Sequence, residues 1–454
     1  MGPARARRRR AALKVNYGIL SVYLLGVFVG ALDVNVLGPV FPLISHSFHI
    51  SLGWTAWTIT TYSVIYVAAT IFAGSAGDRF GHKRLFALGL VAFGLASALA
   101  AISGVFWLFL VARGLQGAGA GAVYPNAQAE GIRQFPPERR GTALGIFGAA
   151  FGLASIIGPN LGGLIGQYLG WPAIFLFNLP IIALALVLSR RAPASRTAPG
   201  AVPDIAGGLS FAAFLALALL ALAVGGPLRW LLAAAALASL VVFSRRQSLA
   251  AVPFLNTAPL RKTAGIAMII GAGLIGLDMS AAVFVPSLTQ KVLGFSVLGS
   301  GVALMPAAFS GAILAGVGGV LVDRVGARSV LQVGLLAGIL GGILLGLSHL
   351  TLGPFILAMV AFGLATAFTM GAPLNRIALG LYRDEQSGEA LSLIAVFRSV
   401  GLAAGPVLLT VAARWHSFQG MFGAVAVSSA LAFGIFFLVP NVRPGPRKAG
   451  HRAA

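Results

Sequence analysis

The chain has 454 residues, of which 58% are hydrophobic and only 9% charged, with a formal net charge of +22 and no cysteine. A soluble domain carries about 25% charged residues, so this composition excludes an ordinary water-soluble globular protein and points to lipid as the main solvent. The absence of cysteine excludes disulfides and thiolate metal sites, and the positive charge does not mark nucleic acid, because the basic residues sit in short loops between apolar runs, as membrane topology requires.

The chain opens on a basic tail, 1–15, containing Arg5-Ala-Arg7-Arg-Arg-Arg10. The apolar run behind it, Tyr17 to Ile44, far exceeds the ~7–15 residues of a signal-peptide core and reads as a retained first helix. A membrane helix needs ~20 apolar residues. Six candidates lie at 16–44, 54–77, 85–103, 106–129, 141–168 and 171–189. A linker at 190–204 leads to two more at 205–226 and 228–244, the last being short. After a second linker at 245–263, six further candidates follow at 264–290, 298–321, 329–348, 352–376, 388–413 and 418–440, and a basic tail closes the chain at 441–454. Of the 32 lysines and arginines, only Arg229, Lys291 and Arg414 fall in odd-to-even connections, and Arg113 and Arg398 lie inside segments. The other 27 fall in the termini and the alternate loops, so the positive-inside rule puts both termini in the cytoplasm. The short eighth segment is needed as well: arginines precede segment seven and follow segment eight, and they share a side only if two spans separate them.

Two halves of the chain echo each other. Asp33 and Asp278, each inside an apolar segment, are 245 residues apart. Gly74-Ser-Ala-Gly-Asp78-Arg79-Phe-Gly81-His-Lys83-Arg84 returns as Gly319-Val-Leu-Val-Asp323-Arg324-Val-Gly326-Ala-Arg328, again displaced by 245. Pro125-Asn126 has a loose echo in Pro373-Leu-Asn375, and Gly158-Pro159 in Gly405-Pro406. The expected architecture is all-helical and polytopic, with two six-helix repeats, 16–189 and 264–440, separated by two inserted helices, 205–244, for fourteen spans in all. An ionisable group inside a span is costly and marks function by default. An arginine in segment four, Arg113, therefore needs a partner, and Asp33 is the natural one. Arg398 is the candidate counterion for Asp278, either as a structural pair or as part of a site.

The ordered motifs extend this reading. The loop after segment two has the pattern G-x-x-x-D-R-x-G-x-K/R-R. Arg113-Gly-Leu-Gln116-Gly117-Ala-Gly119 has the pattern R-x-x-Q-G-x-G. Gly152, Gly158-Pro159 and Gly162-Gly163 form a glycine–proline motif in segment five. Trp57-Thr-Ile-Thr-Thr-Tyr62, Trp171 with Phe175-Leu-Phe-Asn178-Leu-Pro180, and Gln290-Lys-Val-Leu-Gly294-Phe-Ser are further matches. With these residues the chain resembles the major facilitator superfamily, and within it the fourteen-helix drug:proton antiporters, over nearly its whole length. It departs from the pattern at His82, where a basic residue is usual, at Asn35, where threonine is usual, and at Ala154, which replaces a glycine.

The resemblance implies two six-helix bundles around a central cavity that alternate access by rocking. It makes Asp33 and Arg113 the proton-coupling pair. The repeat itself, rather than the resemblance, adds Asp278 with Arg398 as a second set that carries a further proton, binds a cationic substrate or forms a structural pair. The loop residues Gly74, Asp78, Arg79, Gly81, Lys83 and Arg84, with Gly319, Asp323, Arg324, Gly326 and Arg328, form a conformational latch. In it, Asp78 faces the N-terminus of helix 13 and Arg79, Lys83 and Arg84 pair with acids such as Glu130. The segment-five motif favours export. Asn35, Trp57, Tyr62, Gln116, Asn126 and Asn178 are the candidate substrate cavity. The expected protein is not an enzyme. Its six histidines (His46, His49, His82, His349, His416, His451) fall at loops or termini without metal spacing, and no phosphate-binding loop is present. It is expected to need no cofactor or metal, to use the proton gradient, and to sit as a monomer in the inner cell membrane. Its expected partners are protons, a small-molecule substrate and the bilayer, and not nucleic acid. The expected function is proton-coupled export of amphipathic or cationic drug-like molecules. An uptake symporter for a metabolite and a non-transporting receptor or scaffold are the alternatives.

Overall fold

A computed structural model describes residues 17–136, 140–193, 205–249, 263–370, 372–381 and 387–441. Both tails and most of the two linkers lie outside these residues. Among the described residues the regular structure is entirely helical, and fourteen helices are long and apolar enough to cross a membrane. They are α1 (Tyr17–Ser47), α2 (Leu52–Phe80), α3 (His82–Ala101), α4 (Phe106–Arg133), α5 (Arg140–Tyr168), α6 (Pro172–Ser189), α7 (Ile205–Ala223) and α8 (Leu228–Leu249). The second set comprises α9 (Thr263–Val292), α10 (Val297–Val325), α11 (Ala327–Leu345), α12 (Leu352–Gly380), α13 (Leu393–Arg414) and α14 (His416–Leu438). The weak eighth segment is a full helix of 22 residues. Only Ala236 and Phe243 are buried along it, while Leu231, Leu237 and Val242 are exposed. An apolar surface of this kind is stable only against lipid. Phe243 packs on Phe211 of α7, with ring centroids 5.2 Å apart, and α7 in turn packs on α2.

The chain divides into two compact units. One holds Met1–Leu255 with Ala282–Leu304 and Pro406–Val411, and the other holds Asn256–Ala281, Met305–Gly405 and Ala412–Ala454. In the first unit, Tyr23, Phe86, Val123, Phe147 and Ile182 bring α1, α3, α4, α5 and α6 into one apolar core. This unit also holds a seam of very close helix approach. The ideal Cβ of an alanine at Gly162 on α5 would lie 2.0 Å from the carbonyl oxygen of Val36 on α1, and one at Gly158 would lie 2.6 Å from the Asn35 Cβ. Small residues let the two backbones meet there, as they do between helices in lipid generally. In the second unit α9 meets α13 in the same way. A Cβ at Gly276 would lie 2.0 Å from the Arg398 carbonyl, and one at Gly401 would lie 1.8 Å from the Gly273 carbonyl.

The repeat extends to the way the first helix of each half breaks. α1 is regular over Tyr17–Asn35, passes through a 3₁₀ turn at Gly38–Val40 and resumes at Phe41–Ser47. α9 is regular over Thr263–Ser280, passes through a 3₁₀ segment at Ala281–Phe284 and resumes at Val285–Val292. Prolines at 39 and 286 sit at these breaks, where a missing N–H and the ring clash interrupt the helical ladder. In each case an acid, the buried Asp33 or the half-buried Asp278, lies within the last turn or so before the break. The echo at Pro125 and Pro373 is less symmetric. α4 runs unbroken through Pro125, whereas α12 ends its first part at Thr369 and continues as Ala372–Leu381.

Candidate functional site

Asp33 and Arg113 meet in the first unit, and both are completely buried. Arg113 Nη1 donates to Asp33 Oδ2, and to Gln116 Oε1 at 2.7 Å. Its Nε donates to the Thr58 carbonyl at 3.1 Å. The other carboxylate oxygen, Asp33 Oδ1, accepts from Asn178 Nδ2 at 2.7 Å and from Gln116 Nε2 at 3.4 Å. Gln116 also donates to Ser97 Oγ at 2.7 Å. Five helices thus contribute to one polar cluster: α1 the acid, α2 a carbonyl, α3 a hydroxyl, α4 the arginine and glutamine, and α6 the asparagine. The guanidinium lies between two rings, 4.6 Å from the centroid of Tyr62 and 5.8 Å from that of Phe175, where a ring face attracts a cation. Tyr62 reaches this position because α4 carries glycine at 117; a Cβ there would lie 2.3 Å from the Tyr62 carbonyl oxygen. Arg113 Nη2 is buried without a hydrogen-bond partner among the described residues.

This arrangement stores a charge in a place where charge is expensive. A buried ion pair holds only when geometry and extra hydrogen bonds offset desolvation, and loss of one partner leaves an uncompensated charge. The cluster is a joint between five helices, held at its centre by one buried charge pair.

The predicted cavity residues divide by what holds them. Gln116 and Asn178 direct their amides at Asp33. Tyr62 hydrogen-bonds the Gly30 carbonyl at 3.3 Å beside Arg113. Asn35 Nδ2 donates to the Ala31 carbonyl at 2.7 Å, one turn back on its own helix. Trp57 is buried among aromatic neighbours, with Trp54 at a centroid distance of 6.4 Å. Asn126 lies elsewhere, at the α2–α3 connection, where its Nδ2 donates to the Ala73 and Ala122 carbonyls at 3.0 and 2.7 Å.

That connection turns at Gly81, whose φ of 95° favours glycine. His82 is buried, with Nδ1 2.8 Å from Asn126 Oδ1 and Nε2 3.1 Å from Asp78 Oδ1. The Asn126 amide nitrogen is directed at two carbonyls, so both ring nitrogens face side-chain oxygens. The Lys83 Nζ donates to the Arg190 carbonyl at 3.3 Å and to the Ala192 carbonyl, just past the end of α6. Glu130, the acid offered to the basic residues of the loop, pairs with Arg133 at 3.0 Å. The second copy does the same with a different residue. Arg328, after Gly326 (φ 96°), donates through Nη1 to the Val439 carbonyl at 3.3 Å, just past α14, and its backbone N–H donates to Asn441 Oδ1 at 3.1 Å. In both copies the basic residue after the loop glycine ties the loop to the end of the sixth helix of its own half, where carbonyls lack helical partners. Asp78, Arg79, Arg84, Asp323 and Arg324 are exposed. Replacing Lys83 with methionine should cost about 1 kcal/mol, seen as a lower unfolding midpoint in nanodiscs, with Lys83→Arg retaining most of the stability.

The glycine–proline motif is only partly a packing seam. Gly158, Gly162 and Gly163 sit against backbone, Gly163 being the one whose Cβ would lie 2.9 Å from the Val297 carbonyl, whereas a Cβ at Gly152 meets nothing within 4 Å. Asp278 accepts from Ser429 Oγ at 2.7 Å. The α9 and α13 backbones meet beside it, at Gly276 and Arg398.

A family model described as Major Facilitator Superfamily matches residues 23–382 and 268–454. The chain is 31% identical over 407 residues to a multidrug transporter protein of Bacillus subtilis, covering 86% of this chain and 74% of that protein. It is 28% identical over 404 residues to a riboflavin transporter of Clostridioides difficile, covering 87% of each. A crystal structure of a D-xylose–proton symporter aligns with a TM-score of 0.69 at 16% identity, over 94% of this chain and 99% of that one, a likeness of fold. The protein is a multi-pass membrane transport protein and not an enzyme. A match running through both halves, with relatives that are themselves transporters, places the chain in the Major Facilitator Superfamily.

Proposed function

We propose that this protein is a proton-coupled exporter of amphipathic or cationic drug-like molecules, working by alternating access from the inner cell membrane with both termini in the cytoplasm. The observation that carries the reading is the completely buried Asp33–Arg113 pair, joined by Gln116 and Asn178 across five helices. Relatives named as multidrug transporters or as an export protein support the direction and the substrate class. In the cycle, Asp33 takes a proton from outside, its hold on Arg113 loosens and substrate leaves. The carrier turns inward, the proton passes to the cytoplasm, and the ionised carboxylate rejoins the arginine as substrate rebinds. The energy source is the proton gradient, with no cofactor, and the monomer is the working unit. A change in the surroundings of this carboxyl between conformations drives the cycle.

The test uses inside-out vesicles holding a preset pH gradient, read by a pH-sensitive dye, with lipophilic cations and antibiotics added singly. The expected result is gradient collapse with at least one compound in the wild type and none in Asp33→Asn. Normal substrate-dependent flux in Asp33→Asn would sink the proposal.

A further inference from the structure

The first unit carries a half-buried face that neither the ion pair nor the helix seams use. Helix α5 is exposed on two sides. At about 100° per residue, Leu153, Ile157 and Leu164 share one face of it, and Gly148, Gly152 and Ser155 the opposite one; all six are exposed. Large aliphatic side chains suit lipid. Two glycines and a serine offer lipid little, and a Cβ at Gly148 or Gly152 would meet nothing within 4 Å. Phe151 stands at the edge of this second face. It shares with Phe28 of α1 the small cluster around Ala31 and Ala154, and its ring meets that of Tyr124 on α4 at 82°, with centroids 5.4 Å apart. Gln128, one turn on from Tyr124, donates through Nε2 to the Tyr124 hydroxyl at 2.8 Å. Tyr66 of α2 meets α4 one turn before Tyr124, where a Cβ at Gly121 would lie 2.7 Å from the Tyr66 carbonyl oxygen. Phe28, Tyr66, Tyr124, Gln128 and Phe151 are all half-buried.

Two observations suit this face to a ligand rather than to lipid. The first is polarity. A glutamine amide and tyrosine side chains, half-exposed inside membrane spans, are costly against hydrocarbon and belong to a wet cavity or a bound molecule. The second is ring geometry. Tyr66 lies nearly parallel to Tyr62, at 8° and 6.1 Å between centroids, so its ring is held in a fixed orientation, and the Phe151 ring is held against Tyr124. Aromatic groups prefer offset-stacked or edge-to-face contact, and a wall of fixed rings selects partners that are themselves flat. Tyr62 is also the ring over which the Arg113 guanidinium lies, at 4.6 Å. A molecule stacked on Tyr66 is therefore two rings away from the buried charge pair.

We propose that Tyr66, Tyr124 and Phe151 form one wall of a binding site for a planar aromatic molecule. The Gln128 amide takes a hydrogen-bonding group on the edge of the ligand, and the glycines at 148 and 152 leave room for it. The wall narrows the substrate class of the export proposed above, from amphipathic or cationic molecules in general to flat aromatic ones. Binding follows from the wall alone; its use in transport rests on that reading. Ring faces attract cations, so a planar aromatic cation is the probe that fits best.

The experiment is equilibrium binding of ethidium, a planar aromatic cation, to the full chain in nanodiscs, read by its fluorescence over that of empty nanodiscs. Tetraphenylphosphonium, a cation whose rings are not coplanar, serves as competitor. Wild type should bind ethidium about tenfold more tightly than tetraphenylphosphonium, because only the flat molecule stacks. Tyr66→Ala and Phe151→Ala should each weaken ethidium about tenfold through loss of a ring contact and its buried area, and Gln128→Leu about fivefold. Gly152→Leu fills the open face without meeting an obstacle, so ethidium binding should fall by a similar factor while the unfolding midpoint holds. That variant keeps the test decisive if an alanine variant does not fold. No ethidium binding by wild type would overturn the proposal, as would binding that Gly152→Leu and the alanine variants leave unchanged, or equal affinity for the two cations. Ethidium binding without substrate-driven proton flux would defeat the export reading and leave the site intact; flux driven by other compounds with no ethidium binding would do the reverse.

Discussion

Replacing Arg113 with leucine is expected to destabilise the protein by about 3–5 kcal/mol, because it breaks a fully buried pair by removing one partner. Gln116 and Asn178 would still face the carboxyl group, but two neutral amides do not replace the cation. The same change empties the space between Tyr62 and Phe175. Adding Asp33→Asn to Arg113→Leu should recover much of the loss, since the partner that suffers most is then neutral. Residues in direct contact show coupling of about 0.5–3 kcal/mol in such cycles, and this pair should fall at the upper end. Denaturant or thermal unfolding of the two single variants and the double variant in nanodiscs measures it. Single effects that simply add would mean that Asp33 and Arg113 do not act as a unit.

The second large effect is expected at Gly276→Leu. Even the first carbon of that side chain would lie 2.0 Å from the Arg398 carbonyl oxygen, and the reciprocal contact at Gly401 is 1.8 Å from the Gly273 carbonyl. The obstructing atoms are backbone, so relief requires α9 and α13 to separate rather than a side chain to turn. Overpacking of this kind costs about 1–3 kcal/mol in ordinary cores, and a displaced α9 also moves Asp278. Gly152→Leu is the matched control for stability: a Cβ there meets nothing within 4 Å, and the substitution should be nearly silent in unfolding. Equal effects at 276 and 152 would show that the close approach of α9 and α13 has no energetic weight.

Much of this was legible in the chain. The fourteen spans follow from apolar run length and from the sides on which arginines fall. The Asp33–Arg113 pair follows from the cost of burying either alone. What was not legible is mostly contact with backbone. Lys83 and Arg328 seek carbonyls past the ends of α6 and α14, and every residue carries a carbonyl, so no pattern in the sequence marks which one is used. The same reason hid the role of Gly276, whose obstacle is the main chain of Arg398. Asp278 was matched to Arg398 because both are charged within adjacent helices, but the structure turns the carboxylate toward Ser429, a residue type too common in helices to stand out. Gln116 and Asn178 read as cavity groups because polar residues in spans invite that reading; that their amides are directed at Asp33 is what the pattern did not show. The breaks in α1 and α9 did have a signal, the prolines at 39 and 286, and the paired acids beside them make it readable.

The ties made by Lys83 and Arg328 bear on how such a chain grows. Each fastens an early loop to the point where the sixth helix of its half has just ended, at 190–192 and at 439. Each group of six is therefore closed from early loop to last helix before the chain continues. Extra helices spliced in after residue 192 extend the polypeptide without opening that ring, and α7 and α8 stand at just that place. The addition of a hairpin between the repeats then demands little of the older architecture beyond a new neighbour for α2, and a version of this chain cut back to twelve helices should keep both rings.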